Sequence, residues 1–164
     1  MAPPKLPYDE GDWFNVPLRT EGFAVGLVVR RDGRGIVVGY FFGRRFSSTS
    51  SIEDVAQLET KDAVLICRFG DLGLLNGQWP IIGKHLLWTR AEWPLPRFVR
   101  TDAVSGALRL ITYSEEDLSE IGAVPCTRQE AEGLPQDGMF GFGAVEIKLT
   151  KLLDEKTVWV KDGR

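Results

Sequence analysis

Histidine occurs once, as His85, and cysteine twice, as Cys67 and Cys126, in 164 residues. Little is left for the chemistries that depend on them. Structural zinc wants about four Cys, His or carboxylate ligands at recognisable spacings, and no such spacing is present, so no metal and no cofactor are expected. A Cys-His hydrolase needs a thiolate, an imidazole and an orienting group that converge in space; here it would have to use His85 with Cys67 or Cys126. Cys67 alternates with Leu65 and Phe69 in an apolar run, where an unactivated thiol is simply a small apolar side chain. Cys126 follows Val124 and Pro125 in what reads as a loop. Both read as free thiols rather than the disulfide framework of a small secreted domain.

Long apolar runs are also missing. No window approaches the roughly 20 apolar residues of a membrane span, and Met1 to Pro7 contains no apolar stretch of signal-peptide length. A reducing, cytoplasmic setting with no membrane partner is the expectation. Neither sign of charge dominates: 20 basic against 23 acidic residues give a net charge of −3, the wrong sign for affinity drawn from phosphate contacts. Gly33-Arg34-Gly35 and Gly141-Phe142-Gly143 are turns, since neither is a G-x-G-x-x-G opening a helix, and there is no P-loop. Acid/base pairs assembled by folding, such as Asp71 with Glu92, are not favoured by any spacing.

What is present is β-forming sequence. Asp12 to Leu18, Phe23 to Arg31, Arg34 to Phe42, Asp62 to Phe69 and Ala107 to Ser114 are rich in Val, Ile, Phe and Tyr and are separated by Gly, Asp or Pro. Asp32-Gly33 predicts a two-residue type I′ hairpin. It sets Val29, Leu27, Val25 and Phe23 opposite Ile36, Val38, Tyr40 and Phe42 on a core face. On the other face Val28 meets Val37, Gly26 meets Gly39, and Ala24 meets Phe41. Facing glycines mark either a bend, as in a strongly curved sheet, or room for a neighbouring aromatic such as Phe41 or Trp13. The length suits one domain over 1-164, with an arm at 1-10, a C-terminal tail at 155-164, and roughly 70% of the unfolded surface buried.

Helical signals are short. Ser51-Ile52-Glu53-Asp54 and Thr127-Arg128-Gln129-Glu130 resemble capping boxes. Thr89 to Glu92 predicts a single turn stapled by Trp88 and Trp93 and stopped by Pro94. Gly143 to Leu153 fits strand and helix periodicity alike, and its β-branched residues favour a strand. The predicted class is mainly β: a strongly curved antiparallel sheet or partly open barrel with two or three short helices.

Trp79, Trp88 and Trp93 crowd into an irregular stretch broken by Gly and Pro. Irregular segments run on the surface, and surface aromatics anchor interfaces; the alternative is that these rings plug a barrel mouth or cover a sheet edge. The candidate partner-binding residues are Asp71, Trp79, Trp88, Glu92 and Trp93, with Arg44 and Arg45. Arg44-Arg45-Phe46 either grips a phosphate beside a stacked base or is a solvated loop, which an acidic chain favours.

Gly11-Asp12-Trp13-Phe14-x-Val16-Pro17-Leu18, Phe23 to Val28, Gly39-Tyr40-Phe41-Phe42-Gly43, Phe69-Gly70-Asp71-Leu72-Gly73-Leu74, Gln78 to Gly83 and Gly143 to Ile147 together resemble the immunity protein 26 family. The resemblance implies a β-rich protein from a bacterial polymorphic toxin system that is not an enzyme. It implies a cognate toxin domain as partner, neutralised by stoichiometric binding in the producing cell's cytoplasm. An acidic inhibitor would suit a basic nuclease toxin. The rival function is a nucleic-acid or small-ligand binding module using the curved sheet and its tryptophans, with a hydrolase third.

Overall fold

The computed structural model describes residues 5–155 and 158–160. The strands are β1 (Asp12–Pro17), β2 (Phe23–Arg31), β3 (Ile36–Phe42), β4 (Arg44–Phe46), β5 (Ala63–Gly70), β6 (Ile81–Lys84), β7 (Phe98–Thr101), β8 (Leu108–Tyr113), β9 (Glu120–Cys126), β10 (Met139–Phe140) and β11 (Val158–Val160). Three single-turn helices, α1 (Ile52–Val55), α2 (Leu72–Leu75) and α3 (Arg128–Ala131), precede the longer α4 (Phe142–Glu155). The main sheet runs β10-β5-β3-β2-β1-β6, antiparallel from β5 to β6, and a smaller sheet runs β7-β8-β9. The protein is mainly β, and neither sheet closes on itself.

Sequence alternation explains the layering. In β2 and β3, Ala24, Val28, Val37 and Phe41 enter one core with Val145, Leu149 and Leu153 of α4. Val25, Leu27, Val38, Tyr40 and Phe42 enter a second core with Phe98 and Ile111 of the smaller sheet. The main sheet is therefore the middle of three layers and buries both faces.

The hairpin differs from the predicted one. Four residues, Asp32 to Gly35, separate β2 from β3, because the Asp32 carboxylate accepts from the N–H groups of Arg34 (2.7 Å) and Ile36 (2.9 Å) and holds a wider loop. Observed partners are Leu27 with Tyr40, Val28 with Gly39 and Gly26 with Phe41, before a bulge between Val28 and Arg30. Up to the bulge the offset of two residues preserves each side chain's face while changing each pair; beyond it Arg30 and Arg31 pair with Val38 and Val37, an offset of three. The glycines make room for rings: a Cβ on Gly26 would lie 2.4 Å from Phe14 Cζ, and one on Gly39 would lie 2.8 Å from Phe69 Cε1.

Other expectations are revised. Residues 143–153 are helical, because Val145, Leu149 and Leu153 recur at the i, i+4 spacing of one buried face and packing overrides β propensity. Cys126 ends a strand rather than lying in a loop, and Arg44-Arg45-Phe46 is the strand β4. The capping boxes before α1 and α3 form as read. The arm is docked: Tyr8 is buried and its hydroxyl donates to Asp71 Oδ2 (2.7 Å). Residues 1–4, 156–157 and 161–164, parts of the expected arm and tail, lie outside the described residues.

Candidate partner-binding surface

The structure divides the sequence-derived candidates. Trp79 is fully buried. It stacks on Phe14 (5.5 Å, 6°), and its Nε1 donates to Glu146 Oε2 on α4 (2.8 Å). The segment expected to be a surface loop turns inward because α2 follows Gly70 and brings Gly73 against the indole, so close that a Cβ on Gly73 would lie 3.0 Å from Trp79 Cγ. Asp71 is also buried, engaged by Tyr8, and Arg45 is buried with an ion pair to Asp154 (2.6 Å). Trp93 is buried too. These four are corrected from surface anchors to framework. Trp88 is half-buried, while Glu92 and Arg44 are exposed.

Trp88 and Glu92 belong to the connection from β6 to β7, which carries two leucines absent from the sequence-derived candidates. Leu86 is 83% exposed and Leu87 77%. Nothing in Lys84-His85-Leu86-Leu87-Trp88 distinguishes them from core residues, because local apolarity is the same signal in both settings. In the same connection the indoles of Trp88 and Trp93 stack (6.4 Å, 21°). The expected staple contact thus forms, although Thr89 to Glu92 makes only a turn, with the Trp93 N–H reaching Arg90 O (3.2 Å). Gly11 has φ +86° and lies directly under Trp88: a Cβ there would sit 2.7 Å from Trp88 Cγ.

The connection is fastened at several points. The Arg30 guanidinium donates to Trp93 O (3.0 Å) and pairs with Glu115 (2.5 Å). The Tyr40 hydroxyl donates to Pro94 O (2.5 Å), and Arg90 binds both oxygens of Glu10 (2.8 and 2.6 Å). A loop already ordered loses little freedom on binding. Two adjoining hollows share Ala56, His85 and Leu87: one of about 280 Å³ reaches Trp13 and Ile52, the other, of about 460 Å³, is edged by Glu59 and Glu92.

His85 lies on Trp13 (5.5 Å, 17°), and its Nδ1 accepts the Leu87 N–H (3.2 Å). Burial lowers its pKa, with Glu92 opposing in part. An imidazole depressed in the folded state contributes full stability above the unfolded value of about 6.5, and that contribution declines as pH falls from there toward the folded pKa. Thermal unfolding at pH 7.5 and 5.5 should therefore show a larger drop for the wild type than for His85→Gln. Equal drops would show that His85 has no part in acid sensitivity.

Cys67 and His85 do not converge. Cys67 is in the core under α4, its pKa pushed up to about 12 by burial, whereas His85 packs on Trp13 and Trp93 across the main sheet. Asp71 and Glu92 are likewise apart, the first held by Tyr8 in the α4-side core and the second on the rim beside Trp93. Among the described residues no three His, Cys, Asp or Glu side chains are grouped to hold a metal, and no helix is long and apolar enough to cross a membrane. The base-stacking alternative needs exposed rings. Trp13, Trp79 and Trp93 are buried, which leaves Trp88 as the partly exposed indole among the described side chains.

Two exposed leucines thus lie in a fastened connection that also carries the Trp88–Trp93 stack, with Glu59 and Glu92 beside it, in a mainly β fold. The family model described as Immunity protein 26 matches residues 9–108, and the chain belongs to that family. The match takes in β1 through β7 and the whole Leu86–Leu87 connection, while the resembling segment Gly143 to Ile147 lies beyond it. Family membership implies an immunity protein of a toxin system. No curated protein and no solved structure matched the chain.

Proposed function

We propose that the protein is a non-enzymatic inhibitor that binds a cognate bacterial toxin domain one to one in the producing cell's cytoplasm, using the face that carries Leu86, Leu87, Trp88 and Glu92. The observation that carries this reading is the exposure of two adjacent leucines, 83% and 77%, on a connection tied down by Arg30, Tyr40 and Arg90. Burying a leucine side chain releases about 1.5–3 kcal/mol, so the pair supplies the centre of a hot spot. Glu59 and Glu92 on the rim favour a partner with basic residues facing them, as a nuclease toxin would have, and speed its approach.

Co-purification and calorimetry with the toxin encoded beside this chain test the reading. A 1:1 complex is expected, and Leu86→Asp with Leu87→Asp should weaken it by about 30-fold or more, equivalent to about 2 kcal/mol, at unchanged Tm. Salt-sensitive binding to oligonucleotides without any protein complex, or full protection by the double variant, would overturn it.

A further inference from the structure

The main sheet ends at β6 on one side and at β10 on the other, and the two ends are finished differently. β10 is only two residues long and pairs with Arg68 and Phe69 of β5 in parallel. Below that, the Ala63–Cys67 stretch of β5 has β3 on its inner side and, among the described residues, no strand on its outer side. In an antiparallel pair every second residue turns its N–H and C=O away from its neighbour. None of these groups is taken by a backbone bond from the facing segment 133–136.

That edge lines a cleft of about 340 Å³, whose far wall is Gly133 to Gln136 and whose end is closed by Phe140 and Lys148. A second hollow of about 280 Å³ continues from Ala63 and Val64 toward Leu152 on α4. Val64 is 39% exposed, unusual for a valine inside a sheet strand. Among the described residues, Lys148 is the single charged one on the walls of the first cleft. Its ammonium lies over the Phe140 ring at 5.3 Å and forms no ion pair with any described residue. An exposed edge is an invitation to strand addition, and an apolar slot with one unpaired cation selects for a complementary charge.

We propose that the Ala63–Cys67 edge of β5 receives an extended segment of a protein partner as an added strand, with an Asp or Glu side chain of that segment set against Lys148. A partner strand of five residues spans about 17 Å at roughly 3.4 Å per residue. Its main chain takes up the outward N–H and C=O groups, and its alternate apolar side chains enter the cleft between β5 and Pro135. The site goes beyond the function proposed above. It lies at the opposite end of the main sheet from β6, whose connection to β7 bears Leu86 and Leu87.

A library of random seven-residue peptides, displayed on phage and panned against the full chain, tests the site without the toxin, so its outcome is separate from that of the toxin-binding reading. Synthetic copies of the selected peptides should carry an acidic residue among alternating Val, Ile or Thr. They should slow hydrogen exchange at the outward-facing amides between Val64 and Cys67, the Ala63 N–H being already bonded to Thr60 O. Lys148→Glu should weaken them about tenfold or more, as expected for reversing one charge at a contact, and re-panning on that variant should enrich Lys or Arg instead. Lys148→Met, which keeps the aliphatic stem on Phe140, should abolish the acidic preference while native near-UV dichroism is retained. Selected peptides that leave the β5 amides unprotected, or an acidic preference that survives both substitutions, would overturn the proposal, as would a library that yields no binder.

Discussion

Trp79→Ala is expected to cost about 5 kcal/mol, from the roughly 3–5 kcal/mol of a deleted core indole and a further share for the hydrogen bond it leaves unmade. The ring is fully buried and packed on four others: Phe14 at 5.5 Å, Phe69 at 5.3 Å, Phe41 at 6.1 Å and Phe142 at 6.2 Å. It therefore joins β1, β3 and β5 to the start of α4. Its Nε1–H also satisfies one oxygen of the buried Glu146, whose other oxygen accepts from Arg19 Nε (3.0 Å). Removing the indole opens a void that the stacked rings cannot fill and strips a donor from a carboxylate already out of water. Against a total stability of about 5–15 kcal/mol, a loss of that size removes from about a third to all of it. Trp79→Phe separates the two parts: it keeps most of the ring contacts, removes the donor and should cost about 1–3 kcal/mol. Urea denaturation followed by far-UV dichroism measures both. A loss under about 1 kcal/mol for Trp79→Ala would mean that the residue does not organise this core.

The fate of Trp79 shows which parts of this protein are written locally. The capping boxes at Ser51 and Thr127 are legible because donor and acceptor are three residues apart, and both form. The faces of β2 and β3 before the bulge are legible because alternation has a period of two, and an even offset in pairing leaves them unchanged; the face of Arg30, set by the bulge, is not. The partners themselves depend on the Asp32 carboxylate choosing a wider loop. The segment 143–153 offered both periods, and it became a helix because a long element with one apolar stripe was needed to cover the α4-side face of the sheet.

Burial in the 70–93 region depends on contacts made far along the chain. Trp79 meets Glu146, Asp71 meets Tyr8, and Trp93 meets Trp13. No rule about turn-rich surface segments contains those pairings. The same blindness works in reverse for Leu86 and Leu87, which local apolarity does not separate from core residues and whose exposure became visible only with the fold. The family resemblance, in contrast, rested on glycines and aromatics such as Gly11, Phe14 and Gly26. These residues are interlocked by space: Gly11 admits Trp88, and Gly26 admits Phe14.

Arg30→Met should lower stability by about 3 kcal/mol, the loss of charge-assisted bonds from a guanidinium that is almost wholly out of water, and, on the proposed function, should also weaken toxin binding without substituting a residue of the proposed contact face. The Arg30 side chain is 2% exposed, whereas its ionic partner Glu115 is 51% exposed. The residue enters the sheet interior at the bulge after Val28. There Nη1 donates to the carbonyls of Val29 (2.5 Å) and Trp93 (3.0 Å), and Nε binds Glu115. Methionine retains the apolar stem and fills much of the volume, so the expected loss falls on those polar contacts.

Two carbonyls then remain without their donor, and the Trp93 end of the β6–β7 connection is released. A freed connection must be ordered again when the partner docks, at roughly 0.5–1.5 kcal/mol for each immobilised side chain, so affinity for the toxin should fall about tenfold. Glu115→Gln is the matched control. It leaves the two carbonyl bonds intact and, at a half-exposed position, should cost under about 1 kcal/mol with little change in affinity. Calorimetry and urea titration on both variants distinguish a latch from a surface charge pair: if Arg30→Met and Glu115→Gln lose stability and affinity equally, the guanidinium acts only through the ion pair, and the connection is held in place by its other fastenings.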